Sequence, residues 1–93
     1  MKAGRVQCGQ SVCDKLIKSG DARLILIDDG ASAGTKKAVT DACAFYKVSY
    51  RFIPSGELGA AIGKPGRMVA AITDSALAER ISVLLEAAST TID

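Results

Sequence analysis

The sequence predicts an α/β domain with helices on both faces of one sheet. Helical and strand-like periodicity alternate along the whole chain, with no repeat, linker or low-complexity stretch between them. The two strongest strand segments, Arg23 to Ile27 and Arg67 to Ile72, are near-continuous apolar runs, so each has two faces to cover rather than one. With 93 residues, 48% hydrophobic and 24% charged, the chain builds one core and not two.

The elements follow in order. Arg5 to Cys8 is short and reads as a candidate edge strand. Gly9 to Ser19 reads as a helix with Val12, Cys13, Leu16 and Ile17 on one side and Gly20 as its stop. Arg23 to Ile27 is a strand closed by the turn residues Asp28-Asp29-Gly30. Thr35 to Tyr46 is a second helix, burying Ala38, Val39, Ala42, Cys43 and Tyr46. Tyr50 to Ile53 is a short strand before Pro54-Ser55-Gly56, Glu57 to Ile62 a short helix, and Arg67 to Ile72 the last strand. Asp74 or Ser75 caps a final helix with Leu77, Ile81, Leu84, Leu85 and Ala88 on one stripe, and the tail from Ser89 to Asp93 is expected to fray.

Composition removes several function classes. The chain has no histidine, which excludes Ser-His and Cys-His nucleophilic catalysis and leaves no His to complete a zinc set. Cys8, Cys13 and Cys43 are an odd number without metal-ligand spacing and read as small core hydrophobes. Gly59-Ala60-Ala61-Ile62-Gly63-Lys64 is one residue short of a P-loop, and Pro65 stands where Ser or Thr must hold magnesium. Asp28, Asp29 and Asp74 lie at strand ends, but two are turn formers and the third a helix cap, so no metal or other cofactor is expected. No apolar run exceeds about five residues, far short of the roughly 20 that span a bilayer, and no secretory signal follows Met1; a cytoplasmic protein is the expectation.

Charge is distributed unevenly. Residues 1–73 hold eleven Lys/Arg and six Asp/Glu, a net +5, whereas residues 74–93 hold one and four, a net −3. A polyanion would therefore meet the first three quarters of the chain and avoid the last helix.

One stretch is more specific than composition. Glu57-Leu58-Gly59-Ala60-Ala61-Ile62-Gly63-Lys64 is followed by Arg67 and by Met68-Val69-Ala70-Ala71-Ile72, ending at Thr73-Asp74. With Arg23-Leu24-Ile25-Leu26-Ile27, Ala31-Ser32, Thr35-Lys36-Lys37, Asp41-x-Cys43 and Tyr46-x-Val48, it resembles the kink-turn RNA-binding family of ribosomal proteins L-seven-Ae and L-thirty-e, in particular its small bacterial YlxQ-type members. The resemblance spans residues 2–85. It implies a three-layer α/β/α sandwich around a four-stranded mixed sheet, forming one domain. It also implies a non-enzymatic protein that binds structured, kink-turn-like RNA in a ribonucleoprotein, with ribosomal RNA the leading candidate.

In that family RNA is held by the start of the helix after the first strand and by the loop before the last strand. Here those are Gly9 to Lys15 and Gly63 to Arg67. A helix N-terminus supplies unpaired N–H groups and a positive dipole end, and Gly9 permits close approach. Typical archaeal members carry Gly-Thr-Asn-Glu-Val-Thr-Lys there; this chain carries Gly9-Gln10-Ser11-Val12-Cys13-Asp14-Lys15, keeping the glycine and the lysine. Ser11 in place of Asn can still donate a hydrogen bond, whereas Val12 in place of Glu cannot accept one. In the second segment, Gly63, Lys64, Pro65 and Arg67 match the bacterial pattern Gly-Lys-x-x-Arg, which otherwise reads as a surface turn. Lys36 and Lys37 extend the basic patch at a helix start, where cations oppose the dipole unless an anion lies nearby.

Phe45, Tyr46, Tyr50 and Phe52 fall in or beside predicted core elements, which argues against single-strand recognition by stacking and for recognition of a folded RNA. The alternative function is a protein-interaction module that kept the fold and lost RNA recognition. The resembled family also has an apolar helix ahead of the segment matching Lys2-Ala3-Gly4-Arg5. Met1 is therefore expected to be an internal methionine of a longer chain. Without that helix an apolar patch of several hundred Å² would promote self-association of a protein that otherwise acts on RNA as a monomer.

Overall fold

A computed structural model describes residues 6–56, 58–59 and 67–90, with side chains to residue 84. Its elements are β1 (Val6–Cys8), α1 (Gln10–Ser19), β2 (Leu24–Asp28), α2 (Ala33–Tyr46), β3 (Tyr50–Ile53), β4 (Val69–Ile72) and α3 (Ser75–Thr90). The sheet order is β1-β4-β2-β3. β2 runs parallel to β3 and antiparallel to β4, and β1 is antiparallel to β4, so the sheet is mixed and β2 and β4 are its central strands.

Alternation along those strands makes the three layers. Ile25, Ile27, Val69 and Ala71 face one way and pack with Cys13 and Ile17 of α1 and Val39 and Cys43 of α2. Leu24, Leu26, Ala70 and Ile72 face the other way and pack with Ala78 of α3 and with Leu58. Both faces are covered, which is why neither run alternates with polar residues.

Element ends have local causes. Gly9 takes φ 105° and Gly20 φ 84°, both in the region that favours glycine, and Gly20 closes α1 by donating back to its last turn. α2 begins at Ala33, earlier than the expected Thr35, because Ser32 Oγ accepts the Thr35 N–H and caps it. Asp74 caps α3 by accepting the Leu77 N–H at 3.0 Å.

Several side chains expected in the core are outside it. Val12 is 40% exposed: the buried stripe of α1 centres on Cys13 and Ile17, and Val12 lies about 100° round from Cys13. Ala38 stands in the same relation to Val39 on α2 and is also exposed. Leu84 is 63% exposed, about 120° round α3 from the buried Ala78. Phe45, Tyr46 and Phe52 are exposed, Phe45 at 77%, because the end of α2 and edge strand β3 lie at the margin of the sheet. Three of the four aromatics are thus accessible to a stacking base, contrary to the expectation from sequence. The short helix over Glu57 to Ile62 is represented by helical Leu58 and Gly59; its other residues lie outside the described ones.

Candidate nucleic-acid interface

The site is built where β1 turns into α1. The Gly9 N–H donates to Val69 O at 3.0 Å, and the Gly9 carbonyl accepts from the Cys13 N–H at 3.0 Å. One residue thus ends the sheet ladder and starts the helix, and its positive φ makes the corner. No side chain caps the start of α1 and its first turn carries no acid. Its opening N–H groups and positive dipole end are left available to an anion.

Two other segments meet that corner. Arg67, just before β4, places Nη1 3.9 Å from where a Cβ on Gly9 would lie. Thr35, in the first turn of α2, donates its hydroxyl proton to Gln10 Oε1 at 3.4 Å. Gly9, Gln10, Thr35, Arg67, Met68 and Val69 line a pocket of about 210 Å³. Three of the residues expected in the site from sequence, Gly9, Gln10 and Arg67, are therefore brought together. Thr35, Met68 and Val69 also line the pocket and were not among the residues expected there. The Ser32-x-x-Thr35 capping spacing was the available signal for Thr35.

The remaining candidates divide. Ser11 and Lys15 are exposed on α1 and do not line the pocket; Lys15 lies about 7–8 Å further along the helix than Gln10. Lys36 is held elsewhere, with Nζ 3.2 Å from Asp29 Oδ1 and 5.9 Å above the Phe52 ring centre. That carboxylate is the nearby anion that a cation early in α2 requires. Lys37 pairs with Asp41 one turn on, at 3.2 Å between exposed side chains, a contact of small energetic weight. Gly63, Lys64 and Pro65 lie outside the described residues.

Asp28 organises the loops behind the pocket. Its side chain is buried, and its carboxylate accepts the Gly30 N–H at 2.7 Å and the Gly56 N–H at 2.9 Å, while its own N–H donates to Met68 O at 2.8 Å. A Cβ on Gly30 would sit 2.6 Å from Ser55 Oγ and 3.0 Å from Asp28 Oδ1, so a side chain there would require the Ser55 hydroxyl to move and would crowd the carboxylate. One buried acid thus ties the turn after β2, the turn after β3 and the approach to β4. Asp28 is the last residue of β2 and forms the turn that follows it, as expected from sequence, its carbonyl accepting the Ala31 N–H at 2.9 Å; the tie to Gly56 makes it a clamp as well.

Cys13 and Cys43 lie in the core and away from this site's surface. Burial, then the neighbouring Cys8 and Cys43, push the Cys13 thiol up to about 12, and burial pushes Cys43 to about 11. Both are packed in the core as neutral groups.

A family model described as "Ribosomal protein L7Ae/L30e/S12e/Gadd45 family" matches residues 1–82. The chain belongs to the L7Ae/L30e/S12e/Gadd45 family. Among the relatives of this L7Ae-family chain, "RNA-binding protein YlxQ" of Bacillus subtilis (strain 168) is 40% identical over 86 residues, covering 91% of this chain and 86% of the relative. "RNA-binding protein YlxQ" of Enterococcus faecium is 31% identical over 87 residues, covering 92% and 84%. A solved structure of a protein with unknown function from Bacillus halodurans C superposes with a TM-score of 0.84 at 26% identity, covering 90% of this chain and 86% of that one. Among the described residues, no helix of this L7Ae-family chain is long and apolar enough to cross a membrane.

Proposed function

We propose that this chain is a non-enzymatic RNA-binding protein that recognises a structured, kinked RNA, with ribosomal RNA as the first candidate. The reading is supported by membership of the L7Ae family and by relatives named RNA-binding proteins. The observation that carries it is the meeting of three distant segments at one pocket: the uncapped start of α1 at Gly9-Gln10, Thr35 of α2, and Arg67 before β4. Uncapped N–H groups beside a guanidinium suit a phosphate or an acceptor-rich base edge. A bent RNA brings both within reach of one small surface.

The test is a binding titration with one RNA in kinked and unkinked versions, run for wild type and for Arg67→Ala. Tighter binding of the kinked form, weakened by Arg67→Ala, supports the reading. Equal binding of the two forms refutes it. Exposed, apolar Val12 at the first turn of α1 would then point to a protein-interaction module that kept the fold.

A further inference from the structure

Phe52 is set apart from the other exposed aromatics by where the sheet puts it. It pairs in register with Ile27, whose side chain faces the α1 and α2 layer, so the Phe52 ring lies on that face too. β3 is an edge strand, so no further strand flanks the ring, which stays 45% exposed. Two neighbours hold it there. Tyr50, half-buried and packed on the core, meets it in a T-shaped contact with ring centres 5.9 Å apart and planes at 90°. Lys36 Nζ stands 5.9 Å from the ring centre and is itself pinned by Asp29 Oδ1 at 3.2 Å. The Asp29 N–H donates to Ile53 O at 2.8 Å, which ties the end of β3 to the same turn.

These contacts place the ring beside the pocket. Lys36 follows Thr35, which lines the pocket, with about 3.8 Å between their Cα atoms. Phe45 and Tyr46 pack on each other at the opposite end of α2, about 15 Å further along the helix axis than Thr35. Of the three exposed aromatics, Phe52 is therefore the one at the pocket end of α2. Asp29 also sets what kind of contact this place can make. It takes one of the three ammonium donors and leaves two, but the Lys36–Asp29 pair has no net charge. A polyanion gains little there by charge, whereas a flat π surface gains from the ring.

Resting on the RNA-binding reading above, we infer that Phe52 is a stacking platform for an unpaired base of the bound RNA, next to the group that occupies the pocket. Lys36 holds the ring and offers its remaining N–H groups to the same nucleotide. Every base has a π face, so the platform selects an unpaired nucleotide and not its identity. A base inside a duplex has both faces covered by its neighbours and cannot use it.

The chain has no tryptophan, so Phe52→Trp introduces one indole reporter and keeps a flat ring. Titrated with the kinked RNA, its fluorescence is quenched as a base stacks on it, and the indole of Phe45→Trp is not. With labelled RNA, Phe52→Ala binds about five- to 150-fold more weakly than wild type, the weight of one stacked base, with its circular dichroism unchanged. Its slope of log affinity against log salt stays at the wild-type value, because no phosphate contact is lost. Phe45→Ala binds like wild type. Replacing the unpaired nucleotides of the RNA singly by abasic residues finds the base: one copy weakens wild type as Phe52→Ala does and weakens Phe52→Ala no further. Binding of Phe52→Trp without quenching, or of Phe52→Ala as tightly as wild type, overturns the inference and leaves the RNA reading standing. An equal loss in Phe45→Ala overturns it as well. If wild type binds kinked RNA no better than unkinked, the RNA reading fails and the platform falls with it.

Discussion

Replacing Asp28 by alanine tests whether the loops around the pocket are held by one buried carboxylate. Asp28 is 1% exposed and accepts two backbone N–H groups, from Gly30 and Gly56, at 2.7 and 2.9 Å. A hydrogen bond to a charged group contributes about 1.5–3 kcal/mol, so losing both costs roughly 3–6 kcal/mol if the stranded donors find nothing else. Gly30 and Gly56 are themselves exposed, so water replaces part of the loss and the expected cost is about 3 kcal/mol. A domain of this length has roughly 5–14 kcal/mol in total, so the variant folds but is visibly weaker. With a urea slope near the bottom of the usual range, about 1 kcal/mol/M, the unfolding midpoint falls by roughly 3 M. Equilibrium urea unfolding followed by circular dichroism measures it. A midpoint within about 0.5 M of wild type would mean that the two turns stand without Asp28, and the clamp would be refuted.

Leu26→Ala, on a central strand with both faces covered, loses about 2–5 kcal/mol in urea unfolding through transfer and cavity terms; a near wild-type midpoint would displace Leu26 from the core. Arg67→Ala weakens binding to a kinked RNA duplex and reduces the slope of log affinity against log salt by about 0.9 if its contact is a phosphate, without lowering thermal stability. Lys15→Ala, outside the pocket, has the smaller effect, and a larger one would move the interface along α1. Cys13 and Cys43 resist iodoacetamide at pH 8 in the folded chain and react in urea, so rapid alkylation of either in native conditions contradicts their packing. Their raised values carry a sign: below about pH 9 both states are protonated, and between 9 and about 12 the unfolded chain loses thiol protons that the folded chain keeps. Stability therefore falls with rising pH across that window.

The layers were legible because they follow from periodicity. Runs such as Leu24 to Ile27 and Val69 to Ile72 need cover on both faces whatever their neighbours, and Gly9 and Gly20 mark the limits of α1 through backbone conformation alone. The start of α2 was missed by two residues because Gly34 is a poor helix former, and Ser32 offsets this only through a cap that needs the folded turn. The exposure of Val12, Ala38 and Leu84 was not legible either. A helical stripe gives an order of residues around the axis, while its width depends on how far the partner layer extends, and Tyr46 lies close to the buried direction of α2 yet projects past the sheet margin.

The site was half legible, for a reason that divides its cations. Sequence shows where positive charge is, but not which charges are already paired. Lys37 and Asp41 stand four apart on a predicted helix, so that pairing was readable; the fixing of Lys36 by Asp29 and Phe52 depends on β2, α2 and β3 being brought together. The same holds for acceptors. Gln10 and Thr35 are 25 residues apart and Asp28 and Gly56 are 28 apart, so neither the Gln10 contact nor the buried clamp has a local signature. What a ligand meets is the remainder after such internal pairings. In this chain that remainder, among the described residues of the pocket, includes the start of α1 and the Arg67 guanidinium, both of them donors. A basic sequence motif therefore locates the surface, and the internal pairings decide which chemical group that surface can accept.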